Sequence, residues 1–130
     1  EIKKKEFTYR GKTIEELKKL DVREFAKFLG SSSRRAALRQ FQDIENFVSR
    51  CQMKESKNKK IKTHKRSMLI VPQMMGMKIQ IQNGNKILPL EVTGEMLGHR
   101  LGEFSPTRNR VKHGKTGMGA TKGSKSKSKK

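Results

Sequence analysis

The chain has 130 residues and a formal net charge of +20, with 34% of its side chains charged and 32% hydrophobic. So thin a hydrophobic complement excludes a large enzyme-type interior and leaves one small domain with basic appendages. An excess of cations on this scale repels itself unless a polyanion neutralises it, which puts nucleic acid first among partners and an anionic membrane surface second.

Residues 1–12 are lysine-rich and read as a basic arm. Lys3, Lys4 and Lys5 do not lead into a secretory signal. No apolar run approaches the roughly 20 residues that a membrane helix needs. Two capping boxes follow. Thr13 with Glu16 opens a helix from Ile14 to Leu20, and Asp21 with Glu24 opens another from Val22 to Leu29. Phe25, Phe28 and Leu29 share one apolar face, and Gly30 is placed to close that helix in the left-handed conformation. Ser31 to Ser33 then supply the N-cap of a long amphipathic helix, about Arg34 to Met53. Along it Ala37, Phe41, Ile44, Val48 and Cys51 recur every three or four residues. Residues 13–53 are thus a helical segment. Cys51 is the sole cysteine, so no internal disulfide exists, as suits a reducing compartment, and its place at the helix end predicts a small buried hydrophobe.

Residues 54–66 carry seven basic side chains and one acid and read as a basic linker or binding loop. Residues 67–104 read as a small sheet domain. Met68 to Val71 form a short buried strand stopped by Pro72. Met77, Ile79 and Ile81 alternate with polar residues as a half-buried strand. Asn83-Gly84 signals a two-residue hairpin turn, and Lys86 to Val92 return, with Pro89 arguing for an edge position or a bulge. Thr93 is a cap for a short helix through Leu97, broken at Gly98. Residues 105–130 hold nine basic residues and no acid, a tail that does not fold by itself. The fold class is therefore α+β: N-terminal helices, then a small mostly antiparallel sheet with one hairpin and a short helix, then a basic, disordered C-terminal tail.

Catalytic signatures fail on inspection. Gly11-Lys12-Thr13 and Gly114-Lys115-Thr116 look like the end of a phosphate-binding loop, but Glu6 and Asn109 stand where the first glycine belongs. Three histidines and one cysteine lack zinc-site spacing, so no metal or other cofactor is expected. No Ser, Cys or Lys stands beside an activating partner, and nothing points to an enzyme. His99, after the short helix, is expected to order its turn, and Gly76, Gly98 and Gly102 suit either turns or a close approach of backbone to a ligand.

Basic segments without balancing acid are the remaining signal. Few aromatic residues, most of them on helix stripes, disfavour a base-stacking single-strand binder. Backbone and shape recognition of a folded or duplex nucleic acid is favoured. The candidate RNA contacts are Arg34 and Arg35 at the long helix, then Lys59, Lys60, Lys62, Thr63, His64, Lys65 and Arg66 in the basic loop. His99, Arg100 and Arg108 follow, and Arg110, Lys112, His113 and Lys115 continue into the tail. A free-standing basic DNA- or chromatin-binding protein is the alternative that charge alone leaves open.

Ile61-Lys62-Thr63-His64-Lys65-Arg66, Val71-Pro72-Gln73-Met74-Met75-Gly76, Asn83-Gly84 and the run from Thr93 to Arg108 form a recognisable set. Within that run, Gly98-His99-Arg100-Leu101-Gly102-Glu103-Phe104-Ser105-Pro106-Thr107-Arg108 is the most specific block. Together they closely resemble the S-nineteen family of small-subunit ribosomal proteins, called S-fifteen in eukaryotes. Phe7 to Gly11, Ser33-Arg34-Arg35, and Val111 to Gly114 with Gly117 to Thr121 resemble its eukaryotic and archaeal branch, whereas residues 122–130 depart from the family's ending. The resemblance implies a non-enzymatic ribosomal protein bound to ribosomal RNA in the head of the small subunit. It implies a protein neighbour of the S-thirteen family and a tail directed toward the tRNA sites. It also implies a place in the cytoplasmic ribosome, with nuclear and nucleolar passage during assembly if the source is a eukaryote.

Overall fold

Helix starts are fixed locally by reciprocal caps. Thr13 and Glu16 exchange backbone-to-side-chain hydrogen bonds of 3.3 and 3.5 Å at the head of α1, Ile14–Lys19. Asp21 and Glu24 form the second box at α2, Val22–Ala26. The computed structural model describes residues 6–111 and 123. In it the chain is α+β, with four helices, a two-stranded sheet and a three-stranded sheet.

The residues read as an arm are partly folded. Thr8–Tyr9 (β1) pairs antiparallel with Lys12–Thr13 (β2), with Tyr9 opposite Lys12. Arg10 and Gly11, at the tip, both have positive φ, 48° and 79°, which a type I′ turn demands of its two central residues. Tyr9 packs against the Phe25 ring at 6.0 Å, and the Lys12 ammonium lies 5.4 Å from the centre of the Phe28 ring. This packing, invisible to composition, ties the segment down.

The expected long helix is two. α3 spans Ser31–Arg39 and α4 spans Phe41–Ser56, separated at Gln40, whose φ of −107° and ψ of 12° leave the helical region. No glycine or proline marks the break, and the apolar stripe runs straight through it. The bend lets α3 lie on α2 while α4 reaches β3, Ile61–Thr63. Gly30 does not close α2; it is extended, φ −63° and ψ 161°, and is itself the N-cap of α3, without a side-chain cap from Ser31 to Ser33. The end of α2 is completed instead by Arg34. Its guanidinium donates to the carbonyls of Ala26, Lys27 and Leu29 at 3.2, 3.1 and 3.2 Å.

Residues 54–66 are not a plain linker. Lys54 to Ser56 belong to α4, and Asn58 takes positive φ, 49°. The Lys59 N–H donates to the Lys54 carbonyl at 2.8 Å and the Asn58 N–H to that of Glu55 at 2.9 Å. These are the two bonds of a Schellman stop, which turns the chain sharply out of a helix. β3 follows, with Ile61 and Thr63 buried and Lys62 outward.

β3 pairs parallel with β4, Lys78–Gln82, and β4 pairs antiparallel with β5, Ile87–Glu91. The sheet is mixed, with β4 central, and Pro89 sits on the edge strand as expected. Ile61, Ile79 and Ile81 face a core shared with Leu17, Phe25, Ile44, Phe47 and Val48. Met68 to Val71 are buried but make only one bridge, Leu69 to Arg100. The hairpin turn is shifted by one residue. Asn83 N–H donates to the Lys86 carbonyl at 2.9 Å, so Gly84 and Asn85 are central. Only Gly84, φ 97°, is positive, the pattern of a type II′ turn. Asn83 Oδ1 accepts from the Asn85 and Lys86 N–H groups at 3.1 and 2.7 Å.

The short helix after Thr93 is a 3-10 turn, Gly94–Met96, uncapped by the threonine side chain. Leu101–Phe104 follows as the second 3-10 turn after the sheet, and a further one, Pro72–Met74, stands before β4. The expectation of an unfolded tail falls mostly on residues outside the described ones. Residues 106–111 are described; they are exposed and carry no helix or strand.

Candidate nucleic-acid interface

The Schellman stop delivers Lys59 and Lys60 to an exposed turn, and the strand alternation of β3 then points Lys62 away from the core. Thr63 is buried, and its hydroxyl accepts from the Lys65 N–H at 3.1 Å. That small turn leaves His64 and Lys65 exposed. Five of the expected contacts, Lys59, Lys60, Lys62, His64 and Lys65, are thus exposed along one short stretch of chain, which forms the rim around β3. Only Lys65 among them has an ionic partner within the described residues, Asp43 at 3.1 Å, with both side chains about half exposed. In so solvated a setting that pair is worth little and yields readily to a polyanion.

Sequence reasoning missed the other wall. Arg50 and Lys54, four residues apart on α4, border the buried stripe of Phe47, Val48 and Cys51. With β3 they enclose a groove of about 280 Å³. Their i, i+4 spacing beside a buried stripe was the available signal, but only the Schellman turn sets β3 opposite them. A second concavity, about 440 Å³, lies on the other side of β3 and takes in Lys59, Lys60 and Lys78 with Glu55. Cys51 lies at the floor of the first groove. Burial outweighs the nearby Lys54 and Arg50 charges and pushes its thiol up to about 11, so it is an inert core group.

Two arginines turn out to be internal braces. Arg34 caps α2, as described. Arg66 donates to the Gln82 carbonyl at 2.7 Å, to that of Gly102 at 2.9 Å and to that of Ser105. In return the Gly102 N–H donates to the Arg66 carbonyl at 2.8 Å. A Cβ on Gly102 would stand 3.0 Å from that same carbonyl oxygen, so glycine here serves a chain-to-chain approach inside the fold. Gly76 and Gly98, with φ 84° and 80°, are turn glycines.

His99 orders its turn as expected: Nδ1 lies 2.8 Å from Glu103 Oε2, and its ring meets Phe104 edge-on at 6.0 Å. The other Glu103 oxygen accepts from the Arg100 N–H at 3.2 Å. Partial desolvation pushes the Glu103 carboxyl up, but the Arg100 N–H, the His99 ring and the Arg100 charge outweigh it and hold it below the usual 4.5. Arg100 is half-buried and donates to the Ser67 carbonyl at 3.4 Å. Arg35, Arg108 and Arg110 are exposed, on α3 and beyond the second 3-10 turn, and none of them lines the groove between α4 and β3. Lys112, His113 and Lys115 lie outside the described residues. Among the described residues no three His, Cys, Asp or Glu side chains come together as a metal site, and no helix is long and apolar enough to cross a membrane.

The family model for ribosomal protein S19 matches residues 31–113. The chain belongs to the ribosomal protein S19 family. It is therefore a ribosomal protein, not an enzyme, and its place is the ribosome. Among its relatives is small ribosomal subunit protein uS19 of Methanococcoides burtonii, 42% identical over 123 residues, covering 95% of this chain and 88% of the relative. The protein of the same name from Methanocella arvoryzae is 46% identical over 124 residues, covering 95% and 86%. The S19 match takes in α3, α4, the basic turn, the three-stranded sheet and the three 3-10 turns. Membership decides against the free-standing DNA- or chromatin-binding alternative.

Proposed function

We propose that this chain is a structural protein of the small ribosomal subunit that binds ribosomal RNA through the rim around β3. The observation that carries the reading is the run of exposed basic side chains Lys59, Lys60, Lys62, His64 and Lys65 through β3, with Arg50 and Lys54 across the groove from Lys62, His64 and Lys65. Core and sheet fix the backbone that carries these side chains, so little backbone order remains to be imposed on binding. The cations offset the repulsion between phosphates that RNA helices bring together, and release of condensed counterions supplies much of the affinity.

Arg35, Arg100, Arg108 and Arg110, with Lys112, His113 and Lys115, extend the contact along the RNA. The neighbouring protein is of the S-thirteen family, in the head of the subunit, and the chain beyond Ser105 runs toward the tRNA sites. The ribosome is cytoplasmic, with nuclear and nucleolar passage during assembly in a eukaryotic cell.

The test is binding of the full chain to transcribed small-subunit head RNA across a salt series. Neutralising three phosphate contacts with Lys59→Gln, Lys60→Gln and Lys62→Gln together should reduce the slope of log affinity against log salt by about 2 to 3. The same change at Lys18 and Lys19, exposed on α1, should alter it less. Equal losses from the two sets would overturn the assignment of the rim. A flat salt response of the unaltered chain would overturn RNA binding itself.

A further inference from the structure

Resting on that reading, we infer that the groove between α4 and β3 takes one unpaired nucleotide, its base against the apolar floor and its phosphate on the rim. Three observations lead there. The floor is apolar and belongs to the packed core: Phe47, Cys51 and Ile61 line it at 6%, 1% and 4% exposure. The walls are cationic: Arg50, Lys54, Lys62 and Lys65, with the His64 imidazole, line it and no carboxylate does. The size is limiting: about 280 Å³ falls at the small end of ligand pockets, so it admits a base and not a duplex. A bare phosphate site has no use for the floor, and a purely apolar ligand has none for the walls. A nucleotide turned out of a helix presents both an apolar face and an anion, and such unstacked bases are what proteins read in structured RNA.

Asp43 stands at the rim through its 3.1 Å pair with Lys65. That partner is exposed enough to be displaced by phosphate. Thr63, anchored by the sheet, offers the remaining fixed polar group in the groove.

The experiment uses the full chain, methyl-labelled at isoleucine, titrated with adenosine, cytidine, guanosine and uridine 5′-monophosphates and, separately, with ribose 5-phosphate. At least one nucleotide is expected to shift the Ile61 methyl and the amides of residues 61–65 saturably, about tenfold more tightly than ribose 5-phosphate. Lys54→Gln with Lys62→Gln should weaken that nucleotide at least threefold and leave the melting temperature in place. Equal titration by ribose 5-phosphate would overturn the inference in favour of a phosphate-only site. Absence of a shift at the Ile61 methyl would overturn it as well. Either failure leaves rim binding intact if the salt-dependent affinity for head RNA persists; loss of that affinity is the separate failure of the functional reading.

Discussion

Arg66→Met is the sharpest probe of how this fold holds its C-terminal exit. The guanidinium bridges three carbonyls from separate places: Gln82 at the end of β4, Gly102 in the second 3-10 turn, and Ser105 just after it. Methionine keeps the length and packing of the stem and deletes every donor. A hydrogen bond from a charged donor contributes about 1.5–3 kcal/mol. Arg66 is half-buried, so water replaces part of what is lost, and a net cost of about 2–4 kcal/mol for the set is expected. The Gly102 N–H to Arg66 carbonyl bond is untouched by the change, so the figure reports the side chain alone. Urea unfolding of the full chain, read as a shift in midpoint at constant slope, measures it. Arg66→Lys is the companion variant. A single ammonium reaches one of three diverging carbonyls, so less than half the loss should return. Stability within about 0.5 kcal/mol of the unaltered chain, the range of an ordinary surface change, would refute the clasp. Full recovery by lysine would refute the argument from geometry and leave only charge.

Four further outcomes follow from the same structure. Gly84→Val should cost about 1–2 kcal/mol in thermal melting, since φ of 97° strains any β-branched residue. Glu103, depressed in the folded state, contributes stability that is present above the ordinary carboxyl value of 4.5 and lost as pH falls through its lower folded value. In Glu103→Gln that acid-side loss should shrink by less than about 1 kcal/mol, its pair with His99 being half exposed, as acid titration of the melting temperature would read. Cys51, buried and raised to about 11, should be alkylated at neutral pH only as fast as the chain opens; labelling that outruns unfolding would show a reachable thiol. Arg108→Glu, fully on the surface, should leave melting unchanged within about 0.5 kcal/mol yet impair subunit assembly or slow translation, as sucrose-gradient profiles of cells carrying the variant would reveal.

Local chemistry was legible in the sequence and long-range assembly was not. Both capping boxes follow from side-chain reach within four residues, and the alternation of Met77, Ile79 and Ile81 placed β4 almost to the residue. The break at Gln40 escaped because the apolar period crosses it unbroken; what bends the helix is the need of α3 to meet α2 while α4 meets β3. β3 escaped because three residues in a lysine-rich stretch carry no strand pattern of their own. Ile61 and Thr63 are buried only because β4, Lys78–Gln82, provides a partner edge, pairing Ile61 with Ile79 and Thr63 with Ile81. The site divides the same way. The rim cations of 59–65 were found by charge density, whereas Arg50 and Lys54 needed the Schellman turn to place them opposite.

Arginine and lysine divide the positive charge by chemistry. Arg34 and Arg66 each reach three backbone carbonyls, Arg50 donates to that of Asn46 at 3.2 Å, and Arg100 to that of Ser67. A planar fork of five donors suits carbonyls that converge from different segments, and its weak hydration lowers the cost of partial burial. The lysines of the rim make no such bond among the described residues, and their compact, strongly hydrated ammonium groups stay in solvent. Composition weighs the two alike, which is why Arg34 and Arg66 entered the candidate contacts beside Lys59 and Lys62. In the fold Arg34, Arg66 and Arg100 tie loops to neighbouring backbone, while the rim lysines keep their charge in solvent, free for a polyanion. Each lysine then works as a movable point charge that adapts to wherever a phosphate falls, on a frame the arginines keep still.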